Sequence, residues 1–590
     1  MTLKSSSADP ASTFAEAQRA FVGGDGPAAL RRLDQLPAAV AADPNVMHLR
    51  ALALKKAGRI DEARTAFEAA QRAAPRDPQI VSNHANLLVQ SGEPAAALPL
   101  YDRAIALHPT YRDARLNRAL TLEALGRLPE ALAAIDALID DGFADPHIHS
   151  ARGAMLLVLG RHDDAATAFD RSMASGRILP NALHGRARVA LERGEAGAAA
   201  QYRQARSSAT DNRDIMFGLA EALEAEGDPA GLALLSDAVS ARPAWIDGLE
   251  RLARMRAEAG DADFTAHYCA ALDSVVEQAP LRLSLAKMLA GADRYREALD
   301  ALDMVDEDPA LGVTRAFYLG ELGEASVGLA LLDGLGGPDT ALIEGRLALA
   351  TGDLDRAGAA LDRAVSQAPE SIAIWAHREL LWRATGDERG HWLSGQDGLV
   401  AAHDIGLDSD EIAATAQVLR GLHRTRAHPV GQSLRGGTQT RGRLLLRQEP
   451  EIRRLCAALV AAVTDHIAGM PAADPDHPLL RHRNTMVAIA GSWSVRLTSS
   501  GFHVAHIHPE GLLSSACYFS LPADIGDQQD RAGWLEIGRP PPTLNLALEP
   551  LATIEPVPGR LVLFPSYLYH GTRPFADGER LTVAFDVIAQ

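Results

Sequence analysis

The chain has 590 residues, of which 47% are hydrophobic, and its 58 Lys and Arg against 76 Asp and Glu give a net charge of −18. That length exceeds what one hydrophobic core fills, so two or more domains or a repeat array are expected, and so acidic a surface repels phosphate backbones, which argues against nucleic acid as a partner. No apolar run reaches membrane-spanning length and Met1–Pro10 lacks the basic-then-apolar layout of a secretory leader, so a cytoplasmic protein without a membrane partner is expected.

Residues from about 40 to 390 are rich in Ala, Leu, Arg, Glu and Asp, with apolar residues at helical spacing. Glycine sets a period: Gly58, Gly92, Gly126, Gly160 and Gly194 stand 34 residues apart. Five residues after the first four comes a small residue, Ala63, Ala97, Ala131 or Ala165. Nine after comes a large one, Phe67, Tyr101, Ile135 or Phe169, and Pro75 and Pro109 lie seventeen past their glycines. A small residue lets two helices approach, a large one fills the gap beside them, and glycine relieves a turn that needs positive φ. The pattern resembles the tetratricopeptide repeat. After Gly194 the period drifts through Gly227, Gly260, Gly323, Gly352 and Gly386, with Asp293 standing where a glycine is missing. About ten repeats are expected over residues 1–390, an all-α solenoid whose concave groove suits a protein or peptide.

The pattern loosens between Gly386 and Asp408, which places a second domain at 391–590. Leu399–Ile405 reads as its first strand, and Ser409–His423 and Pro450–Ala468 read as helices. Val487–Ala490, Trp493–Leu497, Ser515–Ser520, Arg560–Phe564 and Leu581–Val587 read as strands. Several short strands with intervening turns suggest a double-sheet jelly roll whose mouth can hold a small ligand. Cys269, Cys456 and Cys517 form no CxxC pair, which argues against a thiolate zinc site and a disulfide framework.

The chemistry concentrates in Gly501-Phe-His-Val-Ala-His-Ile-His-Pro-Glu-Gly511, with His503, His506 and His508. A later strand, Gly559–Phe564, leads to His570, and Arg580 lies ten residues beyond. A His-x-His pair, a distant His and an Arg at fixed offset converge only in a barrel. Three imidazoles suit an octahedral metal with open positions, and the guanidinium suits a carboxylate-bearing ligand. His503 alone reads as a solvated or hydrogen-bonded surface residue, and His428 as a turn residue before Pro429. Gln432–Gln439 is Gly-rich but lacks the P-loop lysine, and reads as a loop over the mouth that presents Arg435, Thr438 or Gln439. Arg496 is a reserve candidate for binding cosubstrate or substrate.

With His506-Ile-His508-Pro, Ser514-Ser-Ala-Cys-Tyr518, Gly559-Arg-Leu-Val-Leu-Phe-Pro-Ser566, His570, Arg580 and Thr582, the chain resembles the 2-oxoglutarate/Fe(II)-dependent oxygenases. Within them it is nearest to a prolyl-hydroxylase-like bacterial branch that carries N-terminal tetratricopeptide repeats. His428-Pro-Val-Gly-Gln-Ser-Leu-Arg-Gly-Gly-Thr-Gln-Thr440 also carries the likeness, which covers about 160 residues. It implies a double-stranded β-helix holding Fe(II) through His506 and His570. It also implies that Arg580, with Tyr518 beside it, binds the distal carboxylate of 2-oxoglutarate.

The family places a carboxylate two residues after the first histidine, where this chain has His508. Three ligand sets stay open: His506, His508 and His570; the same with Glu510 in place of His508; or His506 and His570 with water. The activity implied is a dioxygenase that uses O2 and 2-oxoglutarate to hydroxylate a C–H bond, in a protein or peptide brought by the repeats. The alternatives are an interaction scaffold with a degenerate jelly roll, and a cupin-like metal enzyme that needs no cosubstrate.

Overall fold

The computed structural model describes residues 9–143, 145–174, 176, 178–305, 308–523, 525 and 530–589. Residues 1–8, where leader features were sought, lie outside them. The chain forms two compact units, one of residues 1–190 with 200–215, the other of 191–199 with 216–590. The boundary read near residue 390 falls inside the second unit.

The helices follow one another in twos, from Pro10–Val22 and Gly26–Leu33 to Pro338–Thr351 and Leu354–Gln367. The first two precede the periodic glycines, so the helical array starts some thirty residues earlier than the composition suggests. The period has the physical meaning expected of it. Gly58, Gly92, Gly126, Gly160 and Gly194 all have φ between +65° and +83°, a region where a side chain is strained. Ala63, Ala97, Ala131 and Ala165 are fully buried, and Phe67, Tyr101, Ile135 and Phe169 are at most 1% exposed. Asp293, at the turn that lacks glycine, still adopts φ +59°. No helix among the described residues is long and apolar enough to cross a membrane.

The C-terminal part is a jelly roll of antiparallel strands. They are β1 (Ala401–Asp404), β2 (Leu434–Gln439), β3 (Val487–His506), β4 (Leu513–Ser520), β5 (Leu535–Ile537), β6 (Ala552–Ile554), β7 (Arg560–Pro565), β8 (His570–Thr572) and β9 (Arg580–Ala589). Their order is β1-β7-β4-β9-β3-β8-β5-β6, with β2 also on β3. Where the sequence suggests two separate strands, β3 is one strand of 20 residues. Its first part pairs with β9, and its end pairs with β8. Glycines at 491 and 501 weaken local strand propensity, and the register shifts beside each of them, between Ile489 and Gly491 against β9 and between Leu497 and Phe502 against β2.

Alternation sorts the side chains. Odd residues of β9, Leu581, Val583, Phe585 and Val587, are at most 1% exposed. They share an apolar core with Leu561 and Leu563 of β7 and with Ile452, Leu455 and Leu459 of helix Pro450–Gly469. Even residues of β9 face the cavity: Arg580, Thr582, Ala584 and Asp586. The last repeat helix, Ile372–Thr385, joins the jelly-roll core through Trp375, Leu380 and Trp382.

In the first unit Phe169 packs where Gly153 and Gly185 leave room, and a Cβ on Gly185 would stand 2.2 Å from its ring. Phe169→Ala should therefore cost about 3–5 kcal/mol. Gly185→Ala should also destabilise, and the double variant should lose less than the sum of the two. Urea unfolding of the three variants measures this coupling.

Candidate metal centre

The site forms where β3 ends beside β8. His506 and His570 are directly opposed across that ladder, and their ring centroids are 4.1 Å apart. His508, just past the end of β3, brings its ring to 5.1 Å from each. The three residues offer ligand atoms that all lie within 4.8 Å of one another.

Hydrogen bonding decides which nitrogens converge. His506 Nδ1 donates to the Val504 carbonyl at 2.8 Å, and His570 Nδ1 donates to the Leu568 carbonyl at 3.1 Å. His508 Nδ1 donates to Asp586 Oδ1 at 2.5 Å. Carbonyls and carboxylates only accept, so each Nδ1 carries a proton, and in the neutral form each ring keeps a lone pair on Nε2. Two of these lone pairs, on His506 and His508, stand 3.1 Å apart. That separation is unfavourable unless a cation or proton is shared. It is close to the roughly 3.0 Å between neighbouring ligands on an octahedron with bonds of about 2.1 Å. Burial lowers the His506 pKa to about 3, and drives those of His503 and His570 well below their ordinary value. Neutral imidazoles are the form that binds metal.

The cavity in front of this cluster has a volume of about 970 Å³. Arg580 lies in its wall, 2% exposed, and among the described residues its Nε has no hydrogen-bond partner. Its guanidinium sits 5.1 Å over the ring of the buried Tyr518. Burial lowers the Arg580 pKa and raises that of Tyr518. The acids next to Arg580 in sequence are engaged elsewhere. Glu579 holds Arg420 at 2.7 Å and Arg496 at 2.6 Å, and Asp577 accepts from Ser499 at 2.5 Å. A buried cation without a carboxylate in a cavity wall fits an anionic ligand.

The other candidates fall as follows. Glu510 is exposed on the cavity lining and is not in the convergent group. Arg496 is committed to Glu579 instead of the cavity. His503 lines the cavity instead of the outer surface. Its Nδ1 lies 3.0 Å from Ser433 Oγ, which is 3.1 Å from His506 Nε2. His428 is a half-buried loop residue outside the convergent group. Residues 434–439 form the strand β2 instead of a loop. Arg435 pairs with Asp293, Thr438 bonds His423 at 2.8 Å, and Gln439 lines the cavity. Sequence reasoning missed Ser433 and Asp586. Asp586 was reachable, since six residues after Arg580 on one strand is the same face.

Repeat helices build the facing wall, with Tyr295, Phe317, Tyr318 and Glu321 lining the same cavity. They are tied to the jelly roll by Asp293 to Arg435, by Gly431 N–H donating to the Gly291 carbonyl at 2.7 Å, and by Arg346 donating to Tyr569 Oη at 3.2 Å.

Comparison with protein families agrees with this geometry. Residues 491–586 match the family described as "Putative 2OG-Fe(II) oxygenase". Residues 44–77, 82–147 and 146–171 match tetratricopeptide-repeat families. The chain carries tetratricopeptide repeats and a C-terminal 2OG-Fe(II) oxygenase-family domain. No curated protein matches it. Among solved structures, PilW, a type IV pilus biogenesis factor, is 18% identical over 35% of this chain and 96% of its own, with a TM-score of 0.32. MamA from Desulfovibrio magneticus RS-1 is 22% identical over 29% and 96%, with a TM-score of 0.26. YrrB, a tetratricopeptide protein with an unusual peptide-binding site, is 20% identical over 30% and 92%, with a TM-score of 0.26.

In this oxygenase-family domain a buried guanidinium with no carboxylate partner among the described residues is a stability burden. Arg580→Met should raise the stability of the ligand-free protein by roughly 1–3 kcal/mol. The same variant should lose any thermal stabilisation by 2-oxoglutarate. Differential scanning calorimetry with and without the dicarboxylate measures both effects.

Proposed function

We propose that the protein is an Fe(II)- and 2-oxoglutarate-dependent dioxygenase that hydroxylates a protein or peptide substrate. The observation that carries this reading is the pairing, in one cavity, of three convergent histidines with a buried guanidinium that makes no ion pair with a carboxylate among the described residues. His506, His508 and His570 would hold the ferrous ion, and Arg580 the far carboxylate of 2-oxoglutarate, with Tyr518 beside it. Bound there, the iron supplies the redox chemistry by which O2 oxidatively decarboxylates 2-oxoglutarate and a substrate C–H bond is hydroxylated.

The chain's own residues bind, orient and exclude water. Backbone carbonyls of Val504 and Leu568 and the Asp586 carboxylate keep the three rings in the Nδ1–H form. Arg580 selects a dicarboxylate of fixed length by holding one end away from the metal. The wall of Tyr295, Phe317 and Tyr318 gives the substrate an aromatic surface facing the histidines. Because that wall comes from repeat helices, the element suited to bind a polypeptide and the site suited to oxidise it adjoin within one compact unit.

The test is aerobic consumption of 2-oxoglutarate by the purified protein with Fe(II) and ascorbate. The wild-type chain should turn it over into succinate and CO2, and His570→Ala should reduce the rate to that of iron in buffer. Arg580→Ala should weaken 2-oxoglutarate binding roughly 100-fold, the worth of two charge-assisted hydrogen bonds. A wild-type chain with neither bound iron nor turnover above buffer makes the jelly roll a scaffold for the repeats instead.

A further inference from the structure

We infer that Asp586 is the positioning residue of the metal site, acting through His508. The inference rests on the ligand reading above and adds a residue that the ligand set does not contain. Three neutral imidazoles around a divalent ion leave its charge uncompensated, and Asp586 returns one negative charge from one bond further out. A carboxylate that accepts from the far nitrogen of a ligand imidazole fixes the ring's tautomer and angle and makes its other nitrogen more basic.

Three independent features make Asp586 suited to this role. Its Oδ1 lies 2.5 Å from His508 Nδ1, and the His508 ring stacks on Trp493 at 5.8 Å and 30°, so the ring is held at its edge and on a face. The carboxylate itself is held, since Ser514 Oγ donates to it at 3.3 Å and lies 2.9 Å from Ser566 Oγ. Gly511 keeps the space closed around it, because a Cβ there would stand 2.7 Å from Ser566 Oγ and 3.5 Å from Asp586 Cβ. Finally, Asp586 is 21% exposed, and among the described residues it makes no ion pair with Lys or Arg. Its one partner able to carry positive charge is the imidazole that would hold the metal.

The experiment titrates Co(II) into the metal-free full-length protein. Wild type, Asp586→Asn and His570→Ala are compared by affinity, by visible absorption and by metal-free melting temperature. Asp586→Asn should weaken Co(II) binding about 10–100-fold without moving the metal-free melting temperature, and its saturated spectrum should keep the wild-type ligand number. Unchanged affinity in Asp586→Asn, with His570→Ala abolishing binding, overturns the inference. So does a spectrum showing one ligand fewer, which would make Asp586 a direct ligand.

Failure of the wild-type chain to bind Co(II) instead overturns the ligand assignment beneath it. A measurement on the wild-type chain alone covers the case in which the variant does not fold. Side-chain nitrogen NMR of the metal-free protein should show His508 protonated at Nδ1, with that proton strongly hydrogen-bonded. Protonation at Nε2 alone overturns the inference.

Discussion

Everything at the site depends on one cross-strand pair, His506 against His570. β3 continues past its pairing with β9 and lies along β8 for its last residues. A strand that pairs first with β9 and then with β8 delivers a side chain to the mouth with the precision of a ladder, since directly opposed residues are held about 5 Å apart. His508 is added by the turn that follows, and its ring is set by packing and by a carboxylate instead of by the ladder. Two of the candidate ligands are therefore positioned by backbone pairing and one by side-chain contacts.

The domain accepts unfavourable interactions around this pair. The Nε2 atoms of His506 and His508 stand 3.1 Å apart, and Arg580 is buried over the Tyr518 ring with no carboxylate partner among the described residues. Asp293 adopts a left-handed backbone at a turn where the other repeats use glycine, and its carboxylate then reaches Arg435 of β2. Each feature costs free energy in the protein alone. Each lies on or beside the cavity, and a cation and an anion bound there would relieve the first two.

The repeats do more than decorate this domain. Arg346, from the helix Pro338–Thr351, reaches Tyr569, the residue before His570, and buried His377 lies 3.3 Å from the same hydroxyl. Helix Ile372–Thr385 contributes Ile372, Trp375, Leu380 and Trp382 to the jelly-roll core. The late repeats thus support the strand that carries one candidate ligand, and they also wall the cavity before it.

The helical array was legible in the sequence because its constraints are local. A turn needs positive φ, a close approach needs alanine, and both recur every 34 residues. The convergence of His506, His508 and His570, and the placing of Arg580 in the same cavity, were legible from motif order and spacing. Tertiary structure alone decided which groups surround them. Ser433 and Asp586 join the site, His503 turns inward, and Arg496 turns away to Glu579. It also joined β3 into one strand and made the repeats a wall of the cavity. These outcomes depend on which face of a strand a residue occupies and what packs across from it. Register and long-range packing set that, whereas neighbours in the sequence do not.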